Sequence, residues 1–139
     1  MATQCISRRC RQVSRELDRL LATVGLGDTR LVLAGFSQGA AIAAYTGLRR
    51  GCRGVLALGG PCPPRSSLLP DNDVTSICAV VGPADHCVSH EEIQQCIGER
   101  YAQRGEPDCA VHAIPGMGHV VSEESIRVGL DFLRRCGCT

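Results

Sequence analysis

The sequence predicts an α/β fold built on a parallel sheet. Three observations carry this. Short continuous apolar runs stand at 31–34, 55–58, 76–81 and 109–114, the pattern of strands buried on both faces. Helical, amphipathic stretches alternate with them. Glycine and proline punctuate almost every junction.

Taken in order, apolar residues at Ile6, Cys10, Val13, Leu17, Leu20, Leu21 and Val24 give the first helix one apolar face. Gly25 and Gly27 stop it. Leu31-Val-Leu-Ala34 is the first strand, and 35–39 is read as a turn. The Ala-rich segment 40–48 is a helix, with a break bracketed by Gly51 and Gly54. Strand 55–58 runs into Gly59-Gly60-Pro61. Residues 61–73 hold Pro61, Pro63, Pro64 and Pro70 and read as a loop. Strand 76–81 follows. Ser89, with Glu92 three residues on, forms a capping box for a helix whose apolar face is Ile93, Ile97 and Tyr101, stopped by Gly105 and Pro107. After strand 109–114, Ser122 caps a last helix reaching 135, with Ile126, Leu130 and Leu133 on its inner face. Consecutive strands are expected side by side, joined by right-handed crossovers.

Length and charge narrow the function. At 139 residues the chain suits one domain, 1–139, burying roughly 68% of its unfolded surface. Its net charge of +1 offers no field to attract nucleic acid or an anionic membrane. No apolar run approaches the ~20 residues of a transmembrane helix, and no apolar leader opens the chain. Residues 5–15 are Arg-rich and free of acids, which suits the polar face of a helix and also loosely resembles an organelle-targeting peptide. Ten cysteines suggest a disulfide scaffold, but without a secretory leader the expectation is a reducing interior, cytoplasmic or organellar. Cys78 and Cys96 read as small buried hydrophobes. There is no Cys-x-x-Cys pair, and Cys136-Gly-Cys138 is too short for a zinc site. No metal ligand and no cofactor is assigned.

The chemistry lies at the strand ends. Gly35-Phe-Ser37-Gln-Gly39 follows a strand and opens a helix, the context of a nucleophile elbow. Glycines at 35 and 39 make room for the sharp turn, which lifts Ser37 above the sheet. The Gln38 N–H, at the start of the new helix, faces a developing oxyanion. A serine needs a base, and the base an orienting acid. Asp85, in Gly82-Pro-Ala-Asp85-His-Cys-Val88, follows the third strand; His119, in Gly116-Met-Gly-His119, follows the fourth. Taken singly, these are a turn serine, a turn aspartate and a loop histidine. Taken together, in the order Ser, Asp, His and each past a strand's C-terminal end, they read as a triad: Ser37 as nucleophile, His119 as base then acid, Asp85 as orienting acid. His86 competes as base but points elsewhere by its adjacency to Asp85. His90 and His112 read as surface or packing residues.

At these motifs the chain resembles the phospholipase/carboxylesterase family of α/β-hydrolases, which includes acyl-protein thioesterases. Leu33-Ala-Gly-Phe-Ser-Gln-Gly-Ala40 is similar to the family elbow, Gly82-x-x-Asp85-x-x-Val88 to its acid loop, and Gly116-Met-Gly-His119 to its histidine loop. The resemblance implies hydrolysis of carboxylic esters or thioesters without a cofactor. It also implies strands before the elbow and a His-Gly loop donating a second oxyanion N–H. Here one helix precedes the elbow strand, and Gly25-Leu-Gly-Asp-Thr29 reads as a helix stop. The expectation is therefore a truncated α/β-hydrolase: about four parallel strands, lacking the N-terminal ones. Strand 31–34 would be an open edge, and one sheet face would be covered only by the last helix. A protein partner or second copy is expected over that edge and face. Two readings stay open: a serine esterase or thioesterase, and a hydrolase-derived structural subunit of a larger complex.

Overall fold

Residues 2–61, 74–101 and 109–138 are described by the computed structural model. Helix α1 (Ala2–Val24) leads through a short 3₁₀ turn at Asp28–Arg30 into β1 (Val32–Phe36). Then come α2 (Gln38–Arg50), β2 (Gly54–Leu58), β3 (Ser76–Val81), α3 (His90–Tyr101), β4 (Cys109–Ala113) and α4 (Glu123–Arg135). The loop expected through 62–73 and the helix stop at Gly105 and Pro107 lie outside the described residues, as does the side chain of Tyr101.

The four strands form one parallel sheet in the order β1-β2-β3-β4. In register, Leu33 lies beside Val55, Val55 beside Ile77, and Ile77 beside Cys109. Side chains alternate between two cores, as the pleat requires. Val55, Ala57, Ile77, Ala79 and Val81 meet Ala40, Ala44 and Leu48 of α2 and Ile93 and Ile97 of α3. On the opposite face Leu56, Cys78 and Val80 meet Phe132 and Cys136 from the end of the chain. Among the described residues α4 is the one helix on that face, and nothing pairs with the outer side of β1.

The first helix packs on α2 rather than on the sheet. Cys10 and Leu21 are buried, but Leu20 and Val24 of the expected apolar face are 57% and 55% exposed. Its remaining hold is polar. Arg50 of α2 donates from Nε to Asp28 (2.7 Å), from one terminal nitrogen to Asp18 (2.7 Å) and from the other to the Ser14 carbonyl (3.1 Å). Burial opposes this charge, yet the two carboxylates outweigh it and raise the guanidinium pKa. Arg8, Arg9, Arg11 and Arg15 are exposed, as expected of the polar face of a helix. Gly25 at φ 68° ends α1, with the Leu26 N–H reaching back to the Leu21 carbonyl. The 25–29 segment is thus a helix stop, as expected.

The structure corrects three expectations. The inner face of α4 holds Leu133, half-buried against the core as expected, but not Ile126 or Leu130, which are 48% and 45% exposed. The buried residues are Ser125, Gly129 and Phe132, continued by Cys136. The helix is turned because Gly129 lets it approach Leu56, where a Cβ would come within 2.8 Å of a Leu56 methyl. Ser122 caps α4 as expected, accepting the Ser125 N–H at 3.1 Å. In α3 the Glu92 N–H donates to Ser89 Oγ at 3.3 Å, but the carboxylate that Ser89 engages is that of Glu91. Finally, β1 continues through Gly35 and Phe36, because Phe36 stays in register with Leu58. Cys78 is fully buried and burial lifts its thiol pKa to about 11, whereas Cys96 is half-buried.

Candidate active site

Parallel register brings three chain reversals to one edge of the sheet. The Ser37 N–H donates to the Leu58 carbonyl (2.9 Å), the Gly59 N–H to Val80 (2.8 Å) and the Ile114 N–H to Val81 (2.9 Å). These bonds carry the segments after β1, β2 and β4 one step past the strands, so the chain leaves the sheet at the same end each time.

Ser37 turns the chain within one residue. Its φ of 57° and ψ of −120° are strained for a residue with a side chain, and it is the one non-glycine with positive φ among the described residues. The turn closes tightly on two glycines. A Cβ on Gly35 would lie 2.1 Å from the Gly39 carbonyl oxygen, and one on Gly60 would lie 2.3 Å from the Ser37 carbonyl oxygen. Gly39 does not meet the same need, since a Cβ there finds nothing within 4 Å. The crowding lies between the strand end and the helix backbone, and Gly39 contributes its main chain to it. Gln38 opens α2, so its N–H is among those with no acceptor inside the helix.

The Ser37 hydroxyl reaches His119. Its Oγ lies 2.9 Å from Nε2, and the imidazole Nδ1 lies 2.8 Å from Oδ2 of Asp85. The Asp85 side chain is 2% exposed and that of His119 27%. The other Asp85 oxygen accepts the N–H groups of Cys87 (2.7 Å) and Val88 (3.3 Å). Burial pushes the carboxyl pKa up, but the His119 hydrogen bond and these two N–H groups outweigh it, and the pKa lies below the ordinary carboxylate value. The acid loop is pinned to the histidine loop by the Ala84 N–H on the Met117 carbonyl (3.1 Å). Met117 is buried, and its sulfur accepts the Ser122 hydroxyl at 3.1 Å.

Ser37, Asp85 and His119, expected from sequence as a triad, therefore form one hydrogen-bonded chain. His86, the competing base, is exposed. His112 is half-buried in β4, and no partner reaches its Nε2 among the described residues. Sequence reasoning missed two members of the site. The Phe36 ring lies against the His119 imidazole, centroids 4.9 Å apart and tilted by 36°. Gly60 admits the elbow. Both had a visible signal, an aromatic inside the elbow and a glycine pair after β2. Three donor atoms, one each from Asp85, Cys87 and His119, lie within 4.8 Å of one another and could hold a cation.

A four-stranded parallel sheet with a strained serine between strand and helix defines an α/β protein of hydrolase type. The phospholipase/carboxylesterase family model matches residues 2–137, and the chain belongs to that family. Solved structures agree on the fold. The chain is similar to esterase PE8 (24% identity, TM-score 0.80), covering 94% of itself and 61% of that protein. It is similar to Arabidopsis thaliana SOBER1 (23%, TM-score 0.79; 94% and 64%). It is likewise similar to Zea mays acyl-protein thioesterase 2 (18%, TM-score 0.74; 96% and 65%). The chain thus spans less than two thirds of the length of these structures. No curated protein matches it significantly. No helix among the described residues is long and apolar enough to cross a membrane.

Proposed function

We propose that the chain is a serine hydrolase of carboxylic esters or thioesters, working as a single domain over residues 1–139. The observation that carries this is the continuous relay from Ser37 Oγ through His119 to Asp85, at 2.9 and 2.8 Å. Ser37 Oγ attacks the acyl carbon while its proton passes to His119 Nε2. Asp85 holds Nδ1–H and stabilises the imidazolium. The oxyanion takes the Gln38 N–H. His119 then protonates the leaving alcohol or thiol, and water, activated by the same imidazole, releases the acyl group. No cofactor enters these steps.

Losing one oxyanion donor typically costs about 100- to 1,000-fold in rate, so a site in which the Gln38 N–H acts alone should turn over slowly. The test is a fluorophosphonate probe on the purified protein, followed by peptide mapping. Labelling of Ser37 that is lost in Ser37→Ala supports the reading; an unlabelled Ser37 in folded protein overturns it.

A second reading is favoured by two features: among the described residues no strand pairs with the outer side of β1, and α4 exposes Ile126 and Leu130. Here the chain is a structural subunit whose edge and apolar surface are covered by a protein partner or a second copy. A compact monomer, stable over a wide concentration range in size-exclusion chromatography, would exclude it. Cys10, Cys52, Cys78 and Cys136 serve as buried core residues, which fits a reducing, cytoplasmic setting, to be checked by cell fractionation.

A further inference from the structure

Cys87 takes no part in the hydrolysis just described, yet it is held against the groups that do. Its backbone N–H sits on Asp85 Oδ1 at 2.7 Å, which keeps its side chain beside the acid loop. One carboxylate oxygen of Asp85, the Cys87 sulfur and one imidazole nitrogen of His119 all lie within 4.8 Å of one another. A tetrahedral Zn²⁺ with bonds of about 2.0–2.3 Å holds its donors roughly 3.5 Å apart. About 1 Å of closure is needed, which rotation of the exposed Cys87 side chain can supply. The mixed donor set of sulfur, nitrogen and oxygen suits Zn²⁺ and disfavours Mg²⁺ and Ca²⁺, which prefer oxygen alone. Cys87 is exposed and also lines a cavity of about 250 Å³ with Pro61, Val88, Ser89 and Glu92, so its sulfur is open to an ion from solvent.

We propose that Asp85, Cys87 and His119 form a site for a borderline-soft divalent cation, best fitted by Zn²⁺, whose occupancy switches the serine site off. The binding half stands on the geometry; the switching half rests on the reading of Ser37 as nucleophile. On binding, the Cys87 thiol gives its proton to solvent and a Zn–S bond forms, with no change of oxidation state. The ion takes lone pairs from His119 and Asp85. The imidazole then loses its bond either to Asp85 or to Ser37, and the serine loses its base.

Co²⁺ is the spectroscopic probe, because thiolate ligation gives it an intense charge-transfer band, and Zn²⁺ is added in competition. Other cysteines also bind metals, so the comparison is between variants. Cys87→Ala and His119→Ala should each lose one bound equivalent and the matching part of the band, while Ser37→Ala keeps both. Equal uptake by the parent and Cys87→Ala would overturn the site. In the second arm, Zn²⁺ should slow ester turnover by about 100-fold or more, the size of a general base's contribution, reversibly with a chelator. Cys87→Ala should keep its own metal-free rate when Zn²⁺ is added. Inhibition of Cys87→Ala equal to that of the parent would overturn the switch. If metal-free protein neither turns over ester nor takes the fluorophosphonate probe, the hydrolase reading fails, while the cobalt arm still decides the site.

Discussion

At the residue scale, the 2.9 Å contact between Ser37 and His119 means that, on the proposed mechanism, the two should act as a unit, which a kinetic cycle can read. Ser37→Ala and His119→Ala should each lower kcat by several orders of magnitude, and the double variant should be no slower than either single one. Additive losses would separate the two roles. Asp85 carries a pH signature. Its folded pKa lies below the ordinary value of about 3.9, through His119 and the N–H groups of Cys87 and Val88. Its contribution to stability is therefore full above that ordinary value and fades as pH falls below it, through the lowered folded pKa. Asp85→Asn should be less stable than the parent at neutral pH, and the gap in denaturant unfolding should narrow near pH 3. A constant gap would mean that the charge is not what Asp85 contributes. Ser37, Asp85 and His119 were legible in the sequence because strand-end motifs announce themselves locally. Phe36 and Gly60 were not read, because their roles depend on which loops the register brings together.

At the element scale, the helices were legible in position and less so in orientation. The α4 periodicity points to Ile126 and Leu130, but close approach at Gly129 and the Ser122–Ser125 cap turn the helix away from them. Apolar periodicity counts large side chains, whereas the buried face here joins the small Ser125 and Gly129 to Phe132. The α1 anchorage was equally hidden, since Arg50 meets Asp18 and Asp28 only after folding. The Arg50 side chain is 12% exposed, and hydrogen bonds to charged groups each contribute about 1.5–3 kcal/mol. Arg50→Ala should cost on the order of 2 kcal/mol, and hydrogen exchange should show protection falling first in α1. Uniform loss across the sheet would contradict a local tether.

At the scale of the whole molecule, the strand order and the two cores followed from the sequence pattern, because consecutive parallel strands leave few topologies open. A partner for the outer side of β1 did not follow, since an edge strand carries no mark of what would cover it. The exposed pair on α4 offers a direct measurement. Ile126→Gln with Leu130→Gln should leave the unfolding free energy within about 0.5 kcal/mol, as surface changes usually do. On the reading of the chain as a structural subunit, light scattering should show association that this double variant weakens. A large loss of stability would mean that these side chains are buried in a state other than the one described.

The contact between Gly60 and the Ser37 carbonyl bears on how such a serine site can be inherited or transplanted. Moving Gly-Phe-Ser-Gln-Gly alone onto another parallel sheet would fail wherever the residue two past the end of the neighbouring strand carried a Cβ, because the turn would strike it. The portable unit is a pair of adjacent strand ends, one giving the strained serine and the other giving it space. A search that asked for both would discard most chance occurrences of the five-residue motif, and a lineage that changed the second glycine would lose the turn while every residue of the motif stayed in place.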